Sequence, residues 1–258
     1  MIVYNVIFGD KHTLNDWHLW PNERPVIQYP PLKKKQIDIE GADGSIDLSE
    51  AITGYPIFEN RTGTLSFKVL DAKGMQDVRK RKDDIAAYLH GKRLQMVLEE
   101  DEQFYYVGRF EISNYEYSGY KAWSDIEIDY DLEPYKYYTL LSDDRWKWDP
   151  FNFLTGVIQQ KYFYQIPVSG STYTTYEIPA KAIGRRPAVP TFVSTIAAGD
   201  HVYAEFTNPR LGINKTFEIL DGEFYDPEII MTGVDDEVNV LKLRGNGTVS
   251  IRFRMGRL

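Results

Sequence analysis

The sequence predicts a mainly β protein in two domains, and three observations carry that prediction. Tyr and Phe number 19 and 13 among 258 residues, and aromatic side chains pack well on pleated surfaces. Apolar and polar residues alternate in several stretches bounded by Gly, Asn and Asp. Helical spacing is convincing in one stretch, Met75 to Leu89. The length suits one large β domain or two ordinary ones. Glu133-Pro134 closes the first, residues 1–141, with Tyr135 to Leu141 as its exit, and Ser142-Asp143-Asp144 opens the second, residues 142–258.

Taken in order, Ile2–Phe8 reads as a strand and Lys11–Trp20 as a loop. A proline-rich arm follows, with Pro21, Pro25, Pro30 and Pro31, which exclude a helix or a central strand. Such an arm is suited to lie over another surface, including that of a second subunit. Lys33-Lys34-Lys35 reads as a solvated face before a strand at Gln36–Glu40. The chain is organised around Asp43–Asp71. Asp43-Gly44 is a turn pair, Ile46 and Leu48 form a short apolar segment, and Ser49-Glu50 a kink. Gly54 and Tyr55-Pro56 break any helix begun at Glu50. Leu65, Phe67 and Val69 then alternate with Thr64, Ser66 and Lys68, the pattern of a half-buried strand.

The helix puts Met75, Val78, Ile85 and Leu89 on one face, with Gly91 as its stop. A hairpin comes next. Leu94, Met96 and Leu98 point inward before the acidic turn Glu99-Glu100-Asp101-Glu102, and Phe104, Tyr106, Phe110 and Ile112 return. After the turn at Ser118-Gly119, Trp123–Asp131 places Ile126, Ile128 and Tyr130 on one face and Asp125, Glu127, Asp129 and Asp131 on the other. Those carboxylates repeat every ~7 Å. Catalytic carboxylate pairs need contrasting environments, and a regular ladder gives all four similar ones. A solvated face is the first reading of the ladder, a channel lining the second, and catalysis or metal binding the last.

The second domain reads as short strands at Gln159–Val168, Thr172–Ile178, Ala188–Ser194, His201–Asn208, Thr216–Asp221, Val238–Leu243 and Val249–Met255. Turns at Ser169-Gly170, Gly199-Asp200, Asp221-Gly222 and Asn246-Gly247 separate them, the last a strong hairpin signal. Regular strands without a helix argue a β-sandwich. Trp146, Trp148, Phe151 and Phe153 cluster around Asp149-Pro150. Aromatics this dense can stack on a sugar, but more often they plug the space between two domains.

Much chemistry is missing. There is no cysteine, so there is neither a disulfide framework nor a thiol nucleophile. His12, His18, His90 and His201 lack metal-ligand spacing, and no nucleotide-binding or hydrolase motif occurs. Asp235-Asp236-Glu237 lacks the alternating ligands of a calcium loop. No stretch reaches the ~20 apolar residues of a membrane helix, and Ile2–Phe8 is too short for a secretory signal, so the expected site of synthesis and assembly is the cytoplasm. Net charge is −8; residues 1–141 hold 24 acidic against 17 basic groups and residues 142–258 hold 14 against 13. An acidic first domain does not attract nucleic acid, yet it could border a path along which nucleic acid slides without sticking.

The series Asp43, Gly44, Asp47, Leu48, Ser49, Glu50, Ala51, Thr53, Gly54, Pro56, Asn60, Arg61, running into an alternating strand, resembles the N-terminal domain of phage distal tail proteins. Trp146–Ile158 (WKWDPFNFLTGVI) resembles the segment joining the two domains of that family. The resemblance implies an N-terminal β-sandwich-like ring domain with one helix and a C-terminal galectin-like β-sandwich. It implies a homohexameric ring in the virion tail tip, assembled in the host cytoplasm. Its partners would be the tail tube protein, a tail-associated or tip protein and receptor-binding proteins, with DNA passing through the lumen. Neither catalysis, cofactor, metal nor membrane insertion belongs to this reading. Asp43, Gly44, Leu48, Gly54, Tyr55 and Pro56 become candidate subunit-interface residues. Glu99, Glu100, Asp101, Glu102, Asp125, Glu127, Asp129 and Asp131 become candidates for an acidic lumen, and Trp146, Trp148, Phe151 and Phe153 for the inter-domain plug. The alternative is a carbohydrate-binding or cell-wall-degrading phage protein.

Overall fold

The computed structural model describes residues 4–70, 73–117, 124–144, 163, 165–234 and 238–258, with the side chains of 75 and 115–117 left aside. It is mainly β, built of antiparallel sheets in two units. The first unit holds Met1–Ile52, Pro56–Thr139 and Leu258; the second holds Thr53–Tyr55 and Leu140–Arg257.

In the first unit the elements run β1 (Val6–Phe8), β2 (Lys11–His12), α1 (Thr13–Trp17), β3 (Leu19–Pro21), β4 (Gln36–Asp38), β5 (Ser45–Asp47), β6 (Arg61–Val69), α2 (Met75–Leu89), β7 (Arg93–Leu98), β8 (Phe104–Tyr117), β9 (Ser124–Leu132) and β10 (Lys136–Tyr138). The main sheet has the order β2-β1-β7-β8-β9-β6-β3, with β10 pairing onto the start of β8. The alternation seen in the sequence sets its inner face. Leu65, Phe67 and Val69 of β6 and Ile126, Ile128 and Tyr130 of β9 are all at 3% exposure or less. Helix α2 ends where Gly91 takes φ +74, and it buries Val78, Ile85 and Leu89 against the same core. Each such side chain contributes about 1.5–3 kcal/mol. The Tyr88 hydroxyl donates to the Asp10 carboxylate, tying the helix to the end of β1 and holding that carboxyl below its usual range.

Two stretches of this unit depart from expectation. Lys11–Trp20 is not a loop; it forms β2, the short helix α1 and the start of β3. The helix is capped by a histidine, since His12 Nδ1 accepts from the amides of Leu14 and Asn15, both at 3.1 Å. The Asp16 carboxylate accepts in return from the His12 amide at 2.8 Å. Histidine is outside the usual N-cap set, so the start signal is invisible in sequence. The exit Tyr135–Leu141 contains β10, with Tyr137 opposite Tyr105 and Tyr138 opposite Phe104.

The second unit runs β11 (Ile166–Val168), β12 (Thr174–Pro179), α3 (Ala180–Ile183), β13 (Thr191–Thr195), β14 (Val202–Asn208), β15 (Ile213–Ile219), β16 (Gly222–Tyr225), β17 (Val238–Gly245) and β18 (Gly247–Arg252). Two four-stranded sheets, β11-β18-β13-β16 and β12-β17-β14-β15, share one core. Phe192, Val249 and Ile251 come from the first sheet, and Ala204, Phe206, Leu241 and Leu243 from the second.

The Asn246-Gly247 turn is not a hairpin. It carries the chain from β17 in one sheet to β18 in the other. Gly245, at φ +119, makes this corner possible, because a Cβ there would sit 1.9 Å from the His201 carbonyl oxygen. Asp221-Gly222 likewise passes from β15 to β16 in the opposite sheet. The one-turn helix α3 and strand β16 carry no period that the sequence could reveal.

Candidate functional site

The stretch after the proline arm folds into a ribbon of β4 and β5, paired with each other and, among the described residues, with no third strand. Its six residues are all exposed. Ile37 stands opposite Ile46, at 47% and 48% exposure, with Ile39 at 48% and Ile52 at 90% nearby. A two-stranded ribbon is marginal alone, and these isoleucines leave apolar surface exposed on and beside it. Of the predicted interface residues, Asp43 and Gly44 lie in the ribbon's loop, with Gly44 at φ +77. Leu48 follows β5 and donates its amide to the Lys35 carbonyl at 2.8 Å. Asp47 closes a tight turn on Ser49, whose hydroxyl and amide hydrogen bonds hold its carboxyl below the usual range. Gly54 turns at φ +72, and Tyr55 and Pro56 are half-buried. The isoleucines themselves were missed as site residues. Their alternation with Asp38, Glu40, Ser45 and Asp47 is the signal that could have found them.

The proline arm is seated partly on its own chain. Pro25, Ile27 and Pro30 turn inward, while Val26 and Tyr29 stay 59% and 79% exposed. Arg61, at 2% exposure, pins the arm. Its Nη1 donates to the Gln28 carbonyl at 3.2 Å and its Nε to the Pro134 carbonyl at 2.8 Å. Tyr29 and Tyr106 rings flank the guanidinium at 5.8 and 5.5 Å. Its Nη2 is buried with no hydrogen-bond partner among the described residues. Burial lowers the arginine pKa and pushes the Tyr106 phenol up to about 12.

The acidic ladder lies on the central strand β9, between β6 and β8. Asp125, Glu127 and Asp129 are half-buried and Asp131 is exposed. Three of them accept from neutral side chains. Asn22 Nδ2 donates to Asp125 at 3.0 Å, Thr64 Oγ1 to Asp129 at 2.6 Å and Asn60 Nδ2 to Asp131 at 2.8 Å. Glu111 of β8 stands opposite Asp129, while Arg109 stands opposite Asp131 and Lys68 of β6 opposite Asp125. The turn after β7 differs. Glu99 accepts from Asn5 at 2.7 Å, Glu100 from Arg24 at 2.9 Å and Asp101 from Lys136 at 2.5 Å. Glu100 and Asp101 are thus neutralised by cations, and none of the four ladder acids is ion-paired with a described residue. The two groups of lumen candidates are electrostatically unlike.

Trp146, Trp148, Phe151 and Phe153, and Asp235–Glu237, lie outside the described residues. Among the described residues no three potential metal ligands gather, and no helix is long and apolar enough to cross a membrane. The histidines are dispersed. His12 caps α1, His90 Nδ1 accepts from the Ile112 amide at 3.1 Å, and His201 contacts Glu218 at 2.5 Å.

The sequence matches no family model and no curated protein. The structure is similar to the crystal structure of SPP1 Dit, described as a paradigm of the hub adsorption apparatus in phages infecting Gram-positive bacteria. The likeness covers 100% of both chains, with a TM-score of 0.65 and 13% sequence identity. The two chains share their fold across both units.

Proposed function

We propose that this chain is the hub of a long-tailed phage's tail tip, a ring of six copies joining the tail tube to the tip and its receptor-binding proteins. The likeness to SPP1 Dit over the whole of both chains carries the reading, since one domain of a common superfold would not align end to end. The Asp43–Pro56 stretch supports it. A closed ring needs a patch on one copy that fits a different patch on the next, and the uncovered ribbon isoleucines supply one such patch. The ladder Asp125–Asp131 supports an acidic lumen better than the Glu99–Glu102 turn does, because none of its four carboxylates is ion-paired with a described residue, whereas Glu100 and Asp101 are. A negative lumen gives passing DNA no phosphate anchors.

The test is the solution mass with negative-stain imaging. A mass near six chains and a toroidal particle are expected; a strict monomer at micromolar concentration would overturn the ring. Lysine at Asp125, Glu127, Asp129 and Asp131 should slow DNA ejection while leaving the ring intact, and unchanged ejection from particles carrying those lysines would exclude the ladder from the lumen.

A further inference from the structure

In the second unit, the outer face of the sheet β12-β17-β14-β15 carries an arginine, Arg244, with no carboxylate partner among the described residues. Tyr203 of β14 stands opposite both Arg244 of β17 and Glu218 of β15. Thr174 pairs with Leu243, which puts Tyr173 beside Arg244 at the mouth of β12. The Arg244 guanidinium lies 4.8 Å from the Tyr173 ring centroid and 5.1 Å from that of Tyr203. Its Nε is buried and has no hydrogen-bond partner among the described residues. The His201 ring stacks on Tyr203 at 6.0 Å and contacts Glu218 Oε1 at 2.5 Å. One row along, Lys242 donates to Glu205 at 3.0 Å, between Thr175 and Thr216.

Three other half-buried cations of this unit have carboxylate partners: Arg252 with Asp143 and Glu223, Lys215 with Asp226 and Glu228, and Lys242 with Glu205. Arg244 has two aromatic faces instead. They fix the plane of its fork, with Nε buried beneath, and leave the outer Nη donors for an acceptor from outside. The neighbours restrict that acceptor. Glu218 on the same face disfavours a phosphate or carboxylate, Arg244 disfavours a cation, and Lys242 and Glu205 offset each other. A hydroxyl meets both demands, accepting from arginine and donating to a carboxylate. We infer that this face binds a neutral, hydroxyl-rich ligand, a glycan, with Arg244 donating, Glu218 accepting, and Tyr173 and Tyr203 framing the site.

The full-length chain is screened on an array of neutral and anionic bacterial-surface oligosaccharides. The best neutral binder is then titrated by calorimetry against wild type, Arg244→Gln and Glu218→Gln. Retention of a neutral glycan is expected, with affinity falling about tenfold or more in each variant, and Glu218→Gln keeping the wild-type melting temperature. Three results overturn the site: no neutral glycan retained, undiminished affinity in both variants, or binding confined to anionic glycans that inorganic phosphate displaces. Should Arg244→Gln fail to fold, Glu218→Gln alone decides. A six-copy assembly that ignores neutral glycans overturns this site and leaves the hub reading standing.

Discussion

Arg61 begins a strand yet is buried to 2% exposure, with aromatic rings and carbonyl oxygens around it and no carboxylate among its contacts. Removing it leaves two carbonyls without a donor and a cavity under the proline arm. Arg61→Ala should cost about 3 kcal/mol, measured by urea unfolding. Arg61→Lys should also destabilise, because an ammonium cannot reach both carbonyls in a fixed fork. Beside it, Tyr106 titrates at about 12 in the folded chain because burial disfavours the phenolate. The folded pKa lies above the unfolded value of about 10, so the neutral phenol stabilises the fold fully below pH ~10. That contribution, about 2–3 kcal/mol, is lost as pH rises from ~10 through ~12. Stability of Tyr106→Phe measured over this range should fall less steeply than wild type, and parallel curves would refute the assignment.

At the scale of elements, α1 depends on its unusual cap. His12→Ala should cost about 1 kcal/mol and His12→Asp should restore most of it, read from the urea midpoint. Gly245→Ala would drive a methyl group into the His201 carbonyl at a positive φ, so a loss of several kcal/mol or failure to fold is expected. The residues at these two places show why the sequence was only partly legible. Leu65, Phe67, Val69, Ile126, Ile128 and Val78, Ile85, Leu89 declare their faces because burial follows the local period, and all are buried. The His12 cap depends on a side-chain orientation, and the Asn246-Gly247 corner depends on which sheet receives the next strand. Neither is encoded in a window of neighbouring residues. The candidate surface was legible as a stretch, Asp43–Asp71, through resemblance. The isoleucines that make it apolar were not, because exposure depends on β4 and β5 having no third strand among the described residues. Likewise the neutral partners of the ladder, Asn22, Asn60 and Thr64, are brought by pairing across distant strands.

For the molecule as a whole, the ribbon can be separated from stability. Ile37→Lys with Ile46→Lys should abolish the six-copy mass expected of the proposed ring in analytical ultracentrifugation and leave the melting temperature within a few degrees, because both side chains are half-exposed already. A large fall in melting temperature would instead make the ribbon part of the fold. The corner at Gly245–Gly247 also has a bearing on synthesis. Strand β13 is bounded by β16 on one side and β18 on the other, so its sheet is unfinished until Arg252 has been made. At roughly 5–20 residues per second, Thr191 leads Arg252 off the ribosome by roughly 3–12 s, during which β13 offers an open edge. A nascent chain halted before β18 should therefore recruit chaperones, and one released after it should close both sheets together.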